Sequence, residues 1–330
     1  MRKRELGSTG ISVSELGLGC SRVGESIFID HKKNSVPFLK AAFDLGVNFF
    51  DTASTYGYGS SEEAIGEAFK TNRSEVIIAT KAGYLPTTLA RFSPYLIPFL
   101  RPFRPAIQFL RKPLKRKTKK RENYTQGHIR NSIEGSLKRL QTDYVDLLQL
   151  HSPPLSVLEE GEIFQTLENL KKEGKIRYYG LSVKNVSDAV YCIHNSDVSA
   201  VQIPFNLIEQ EALKEVLPLA KEKAVGIIAR VPFARGLLTE KARVATGLAE
   251  DSEEVKKEAD EKRKSLAYLL EDNQTSWTQM SLEFILSNVE ISTVIAGTAS
   301  LAHLKENIAS LDEKKLSRDD IQEIHAISES

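Results

Sequence analysis

Over most of its length the chain repeats one unit: a short apolar run, then an amphipathic stretch with apolar residues three and four apart. Eight such runs can be read, at residues 16–20, 48–51, 76–80, 144–150, 176–181, 200–203, 226–229 and 293–295. The stretches between them predict helices that include 36–45, 62–69, 128–140, 163–172, 213–222 and 278–287. Near-continuously apolar strands that alternate with helices demand a parallel sheet covered by helices. An open doubly wound sheet and a closed eight-unit barrel both meet that demand. The count of eight favours the barrel, an α/β fold of the (β/α)8 TIM type. So does the glycine spacing after the first strand, because Gly17, Gly19 and Gly24 do not form the G-x-G-x-x-G of a dinucleotide fold. Residues 4–6 and 13–16 flank the turn from Gly7 to Gly10, a hairpin signature. Ser60, three residues before Glu63, predicts a capping box at the second helix.

Length and composition narrow the class. At 330 residues the chain suits one barrel with extended loops, and it is expected to be a single domain over 1–330. Basic residues number 45 and acidic 44, so the net charge of +1 supplies no overall pull toward nucleic acid. Two cysteines, Cys20 and Cys192, are too few for a disulfide scaffold or a four-thiolate zinc site. No stretch reaches the roughly 20 apolar residues of a spanning helix, and the first residues lack the apolar run of a signal peptide. A cytoplasmic globular protein with no metal site is expected.

Two segments break the rhythm. The second, about 239–273, contains a charge run at 250–264 that reads as a solvated helix face. The first, an insertion at about 84–121, is different: it holds 11 basic residues and no acidic one, which leaves 34 basic against 44 acidic, a net of −10, in the rest of the chain. Aromatic and aliphatic residues are interleaved, and Pro94, Pro98, Pro102, Pro105 and Pro113 prevent one long helix. A surface excursion packed on the barrel, a lid over the substrate mouth, and a patch for an anionic membrane surface or acidic partner all fit. Peripheral membrane contact through this segment is not the favoured reading, and nucleic acid is the weakest.

Active sites of such barrels gather at the C-terminal ends of the strands. Asp51 ends the second strand, Lys81 the third and His151 the fourth, while Tyr56 lies five residues beyond Asp51 on the loop that follows. A single charge at a strand end is commonly a structural tether; four proton-handling side chains at one mouth point to chemistry. A nearby ammonium favours the phenolate, making Tyr56 a better proton donor to an oxygen that is becoming an alkoxide. Asp51 would hold Lys81 in place, and His151 would orient the substrate oxygen. This set suits reversible carbonyl reduction, and because no side chain donates hydride, a nicotinamide cofactor is required.

Seven segments then carry a resemblance: FDTASTYGYGSSEEAIGEAF, IIATKAG, SLKRLQTDYVDLLQLHSP, KIRYYGLSV, VQIPFNLIEQ, RGLLT and VIAGTASLAHLKENI. Together, in this order and spacing, they resemble the aldo-keto reductase family over nearly the full chain. The resemblance implies catalysis by Asp51, Tyr56, Lys81 and His151, and a dinucleotide extended across the barrel mouth. Ser182 and Gln202 would bind its carboxamide. The segment Arg230, Val231, Pro232, Phe233, Arg235, Gly236 and Leu237 would lie along the ring and pyrophosphate. Gly297, Thr298, Ser300, His303, Glu306 and Asn307 would hold the adenosine end, at a helix N-terminus suited to phosphate. Cys20 and Arg22 would line the cleft, although a small buried hydrophobe is the plainer role for Cys20.

Three departures stand out. Arg230 occupies a place where the family often has an aromatic residue; it can stack on a ring, or reach a substrate carboxylate or a cofactor phosphate. Val183 replaces a frequent asparagine. Thr298, Ala299 and Ser300 replace the Lys or Arg of many NADPH-preferring members, so NADPH is expected with NADH possible. The implied activity is NADPH-dependent reduction of a small aldehyde or ketone substrate. The alternatives are a sugar or polyol dehydrogenase working oxidatively with the same site, and a cofactor-sensing regulatory protein.

Overall fold

The computed structural model describes residues 1–24, 31–85, 122–240, 253–312 and 314–329. Eight parallel strands close into a barrel in chain order: β3 (Leu16–Gly19), β4 (Phe49–Asp51), β5 (Ile77–Ala82), β6 (Val145–His151), β7 (Ile176–Ser182), β8 (Ala200–Pro204), β9 (Gly226–Arg230) and β10 (Ile291–Gly297). Each pairs in parallel with the next, and β10 returns to β3 through Val294 opposite Leu16 and Gly297 opposite Gly19. All eight strands read from the sequence are present, and closure excludes the open doubly wound sheet. The hairpin is there too, as β1 (Lys3–Glu5) paired antiparallel with β2 (Ser12–Ser14).

The helices of the described residues are α1 (His31–Asp44), α2 (Ser60–Phe69), α3 (Gln126–Leu140), α4 (Leu155–Glu160), α5 (Glu162–Lys172), α6 (Val186–Asn195), α7 (Val216–Glu222), α8 (Glu253–Ser265), α9 (Tyr268–Asp272), α10 (Trp277–Ser287), α11 (Leu301–Ala309) and α12 (Arg318–Glu329). Their apolar stripes and the outward faces of the strands make one core, with Leu39, Ile65, Ile133, Leu167, Leu217 and Phe284 among its members. A smaller core fills the barrel itself: Phe49, Ile77, Ala79, Leu147, Ala200, Ile228 and Ile295 pack with Leu6, Ile11 and Val13 of the hairpin. The hairpin therefore plugs the N-terminal end of the barrel. Tyr178 ties it down by donating its hydroxyl hydrogen to the Thr9 carbonyl at 2.7 Å. Its turn requires Gly7, which has φ +57°; a Cβ there would lie 2.4 Å from the Gly226 nitrogen.

Three expectations need correction. The strands run one to four residues further toward the mouth than the apolar runs suggested, taking in Lys81, His151, Ser182, Arg230 and Gly297. Polar residues can continue a buried strand here because the barrel's open end partners them. The helix expected at 213–222 is interrupted, with a 3₁₀ turn at Glu211–Leu213 and α7 beginning only at Val216. Pro218 has no N–H for the Lys214 carbonyl and its ring crowds that group, so the helix cannot extend backward. The capping box does not form: Ser60 is the first residue inside α2, whose cap is Gly59 at φ 96°. The Ser60 hydroxyl instead donates toward the carbonyls of Gly24 and Gly57, at 2.6 and 2.7 Å.

The charge run does form a solvated helix. In α8, Lys257–Glu261, Glu258–Lys262 and Asp260–Lys264 pair one turn apart. Of the basic insertion, residues 86–121 lie outside the described residues. Its two ends are within them, joined by an antiparallel bridge between Tyr84 and Glu122 and by Asn123 N–H donating to the Gly83 carbonyl at 2.8 Å. No described helix is long and apolar enough to cross a membrane.

Candidate active site

Side chains alternate in a strand, so the residues that fill the barrel predict which later residues face its mouth. Phe49 is two residues before Asp51, Ala79 two before Lys81, and Ala200 two before Gln202; all three of the earlier residues belong to the inner core. The same step leads from Leu147 to Gln149 and His151, from Tyr178 through Gly180 to Ser182, from Ile228 to Arg230, and from Ile295 to Gly297. The lower layers are apolar; the uppermost is polar. Tyr56 reaches the same region from the turn after β4, where Gly57 has φ +54° and a Cβ would lie 2.5 Å from the Gly24 carbonyl oxygen.

At the centre lies a buried ion pair. The Lys81 ammonium is 2.6 and 2.5 Å from the two carboxylate oxygens of Asp51 and donates also to the Thr52 carbonyl at 3.1 Å. Asp51 and Lys81 are 2% and 1% exposed. Asp51 Oδ1 further accepts from the amides of Gln202 at 2.8 Å and Gln149 at 3.1 Å. Gln202 in turn accepts from the Ser182 hydroxyl at 3.1 Å. Burial pulls the Lys81 pKa down, but the charges and hydrogen bonds of Asp51 and Tyr56 more than offset it, so the ammonium is held above its ordinary range.

The ammonium lies 5.2 Å from the centre of the half-buried Tyr56 ring. Burial is the largest influence on that phenol and raises its pKa; the charge of Lys81 and a hydrogen bond to it pull the other way. The net is upward. This corrects the expectation that Lys81 alone decides: its charge favours the phenolate, yet the phenol stays protonated at neutral pH. His151 stands edge-on to Tyr56, ring centres 6.2 Å apart, and Tyr84 packs on its other side at 4.4 Å. Tyr124 donates to the His151 carbonyl at 2.7 Å, which anchors the strand end. The four groups singled out in the sequence thus meet at one end of the barrel. An open crevice bordered by Tyr144, Lys171, Arg177 and Tyr178 lies at the other end, away from these groups.

The residues assigned to a dinucleotide are less uniform. Gly19 and Gly297 face each other across β3 and β10 with no side chain between; an added Cβ would come no closer than 3.4 Å at Gly19 and 3.9 Å at Gly297. That leaves a backbone-walled groove beside the mouth, which fits an extended planar ligand. The loop after β9 holds Val231, Ala234 and Arg235 at positive φ, conformations that cost roughly 1–3 kcal/mol each and persist only when surroundings impose them. Here Asn206 donates to the Val231 carbonyl at 3.1 Å and Arg263 to the Leu237 carbonyl at 3.0 Å. At the start of α11, Thr298 accepts from the Ser300 N–H and Ser300 from the His303 N–H. His303 and Glu306 are exposed, whereas Asn307 is buried beneath the helix. Arg22 is exposed, but Cys20 is wholly buried, its thiol directed to the Leu18 carbonyl at 3.5 Å and its pKa pushed up by burial. Cys20 therefore belongs to the core and not to the cleft.

Sequence reasoning missed Gln149, Tyr84 and Tyr124. The first was within reach, because it lies two residues before His151 on one strand and must share its face. The tyrosines flank the insertion, where no periodicity marks them.

Residues 15–329 match the model of the aldo/keto reductase family. The chain is 31% identical to an uncharacterised oxidoreductase, YqkF, of Bacillus subtilis, covering 99% of this chain and 96% of that protein. It is 29% identical to the L-galactose dehydrogenase of Arabidopsis thaliana, over 99% and 94%. Among solved structures it superimposes on the holo form of an aldo-keto reductase from Bacillus halodurans with a TM-score of 0.76, 27% identity and coverage of 99% and 96%.

Because the pair is buried, removing one partner strands the other. Lys81→Met is expected to destabilise the fold by about 3–5 kcal/mol. Adding Asp51→Asn, which keeps an acceptor for Gln202 without the charge, is expected to restore most of that loss. Urea denaturation midpoints of the two variants check this; equal destabilisation by the single and double variants is the contrary result.

Proposed function

Because this chain belongs to the aldo/keto reductase family, we propose that it is an NADPH-dependent oxidoreductase that reduces a small aldehyde or ketone to an alcohol. The observation that carries this reading is the Asp51–Lys81 pair set beneath Tyr56, with His151 standing across from the phenol. NADPH supplies the hydride to the carbonyl carbon. The chain's own part is to handle the proton. The carbonyl oxygen sits between the Tyr56 hydroxyl and the His151 ring, and both polarise it. As negative charge builds on that oxygen, Tyr56 donates its proton, and the fixed Lys81 ammonium stabilises the phenolate left behind. Asp51 holds the ammonium on its side of the phenol, and Gln149 and Gln202 hold Asp51.

Ser182 and Gln202 lie at the inner wall of the groove and would meet the carboxamide; the loop from Val231 to Leu237 would follow the ring and pyrophosphate. Gly297, Thr298, Ser300, His303, Glu306 and Asn307 would serve the adenosine end. The absence of Lys or Arg at 298–300 deprives a 2′-phosphate of a charge-assisted partner there, which narrows the preference for NADPH over NADH.

The likeness to L-galactose dehydrogenase favours a second reading, in which the same site runs in reverse on a sugar or polyol. In that direction Tyr56 accepts the proton, and the phenolate is the active form.

Tyr56→Phe is expected to lower turnover of reactive aldehydes by about 10²–10⁴-fold while leaving NADPH binding, read by fluorescence titration, intact. Turnover equal to that of the wild type is the contrary result.

The two directions also differ in pH dependence. Tyr56 titrates above its ordinary value, so the protonated form needed for reduction is fully present through neutral pH and is lost only as pH rises through that raised pKa. Reduction is expected to stay flat from about pH 6 to 9, and oxidation to rise about tenfold per pH unit between pH 7 and 9. Initial rates in both directions with a fast-binding substrate check it, and a reduction rate that falls across pH 7–9 is the contrary outcome.

A further inference from the structure

Buried charges around the barrel are matched: Asp51 by Lys81, Glu62 by Arg139, Asp146 by Arg73 and Arg177. Arg230 is the exception at the mouth. It is the last residue of β9, on the inward face two residues after Ile228 of the inner core. Its only printed bond is to a neutral acceptor, the Val183 carbonyl, at 3.0 Å, and its Nε is enclosed without a partner. Among the described residues no carboxylate comes within ion-pair distance of it.

The two acids that act on it do so only at a distance, and both are engaged elsewhere. Glu209 accepts from Asn206 at 2.7 Å, and Asp51 is held by Lys81. Burial accordingly depresses the Arg230 pKa. Its charge reaches Tyr56, since each group shifts the titration of the other. An enclosed guanidinium with no counter-ion is costly, and its planar fork matches a carboxylate.

We propose that Arg230 is a specificity-determining residue that binds a carboxylate on the substrate, so that the site takes oxo acids, aldehydes or ketones bearing an acid group a short distance from the carbonyl. This rests on the reductase reading given above and names its substrate class. The anion sits against the Arg230 fork while the carbonyl oxygen lies at Tyr56, with the side-chain-free wall of Gly19 and Gly297 leaving room between β9 and β3. A phosphate of the dinucleotide is the rival occupant. Arg235, exposed on the following loop, is better placed for that group, because a solvated phosphate can reach it without burial.

The test compares matched pairs: succinate semialdehyde against butanal, and 4-carboxybenzaldehyde against benzaldehyde, with saturating NADPH. In the wild type kcat/KM is expected to favour the acid of at least one pair by about 10–100-fold, the scale of a hydrogen-bonded charge. In Arg230→Gln that ratio is expected to fall to near one, and in Arg230→Lys to stand between the two. A wild-type ratio near one in both pairs, or a ratio unchanged in Arg230→Gln, overturns the proposal.

A binding measurement separates this from the reductase reading. With NADPH already saturating, benzoate is expected to bind the wild type about 10–100-fold more tightly than benzamide, and Arg230→Gln is expected to lose that preference. If no carbonyl compound is reduced, the reductase reading fails while the benzoate comparison still decides the role of Arg230. If Arg230→Gln weakens NADPH binding and leaves benzoate binding as in the wild type, the guanidinium serves the cofactor and the proposal is wrong.

Discussion

A carboxylate and an ammonium closed off from water at the end of a barrel cannot be tolerated singly, and the architecture of the mouth follows from that constraint. Desolvating either ion alone costs several kcal/mol, so Asp51 and Lys81 must stay in contact and must have their remaining valences filled. Gln149 and Gln202 from two further strands, and the Thr52 carbonyl, do the filling. Four strands are thereby committed to one arrangement, and the ammonium is left in a fixed place beside Tyr56. Evolution could have packed this end with apolar side chains at less cost. That it holds a charge pair beneath a phenol and beside an imidazole is intelligible as chemistry.

The same barrel supplies both a plug and a workplace by one rule of strand geometry. Alternate residues face inward, so a strand such as β5 presents Ile77 and Ala79 to the packed interior and then Lys81 to the mouth. The N-terminal end is sealed by the hairpin, with Gly7 laid against the Ala224–Gly226 backbone. Solvent and ligand therefore meet the barrel at the other end. On β3 and β10 the inward sequence ends in Gly19 and Gly297, so one side of the mouth lacks side chains where the others carry polar ones. The asymmetry gives a flat ligand a wall to lie on and places the reacting groups opposite.

Most of this was legible before any coordinates. Strong apolar periodicity located all eight strands, and the polar residue after each apolar run located Asp51, Lys81 and His151. What escaped had physical causes. Strand ends were set too short because the polar residues that continue them are satisfied only by partners on other strands, as Gln202 is by Asp51. Ser60 has the local pattern of a cap, yet a tertiary partner, the Gly24 carbonyl, takes its hydroxyl. Cys20 sits beside the mouth in sequence but turns into the core. For Tyr56, the sequence shows a lysine that would lower its pKa; it does not show burial, which outweighs that charge.

The claim on which the account depends is that Lys81 acts on the ionisation of Tyr56 from across a few ångströms of desolvated space. It is tested most directly by the fraction of Tyr56 ionised at pH about 10, read from ¹³C-labelled tyrosine by NMR with Tyr56→Phe to assign the signal. The account predicts a smaller ionised fraction in Lys81→Met than in the wild type, because burial and the Asp51 charge then act unopposed on the phenol. An equal or larger fraction in Lys81→Met would contradict it.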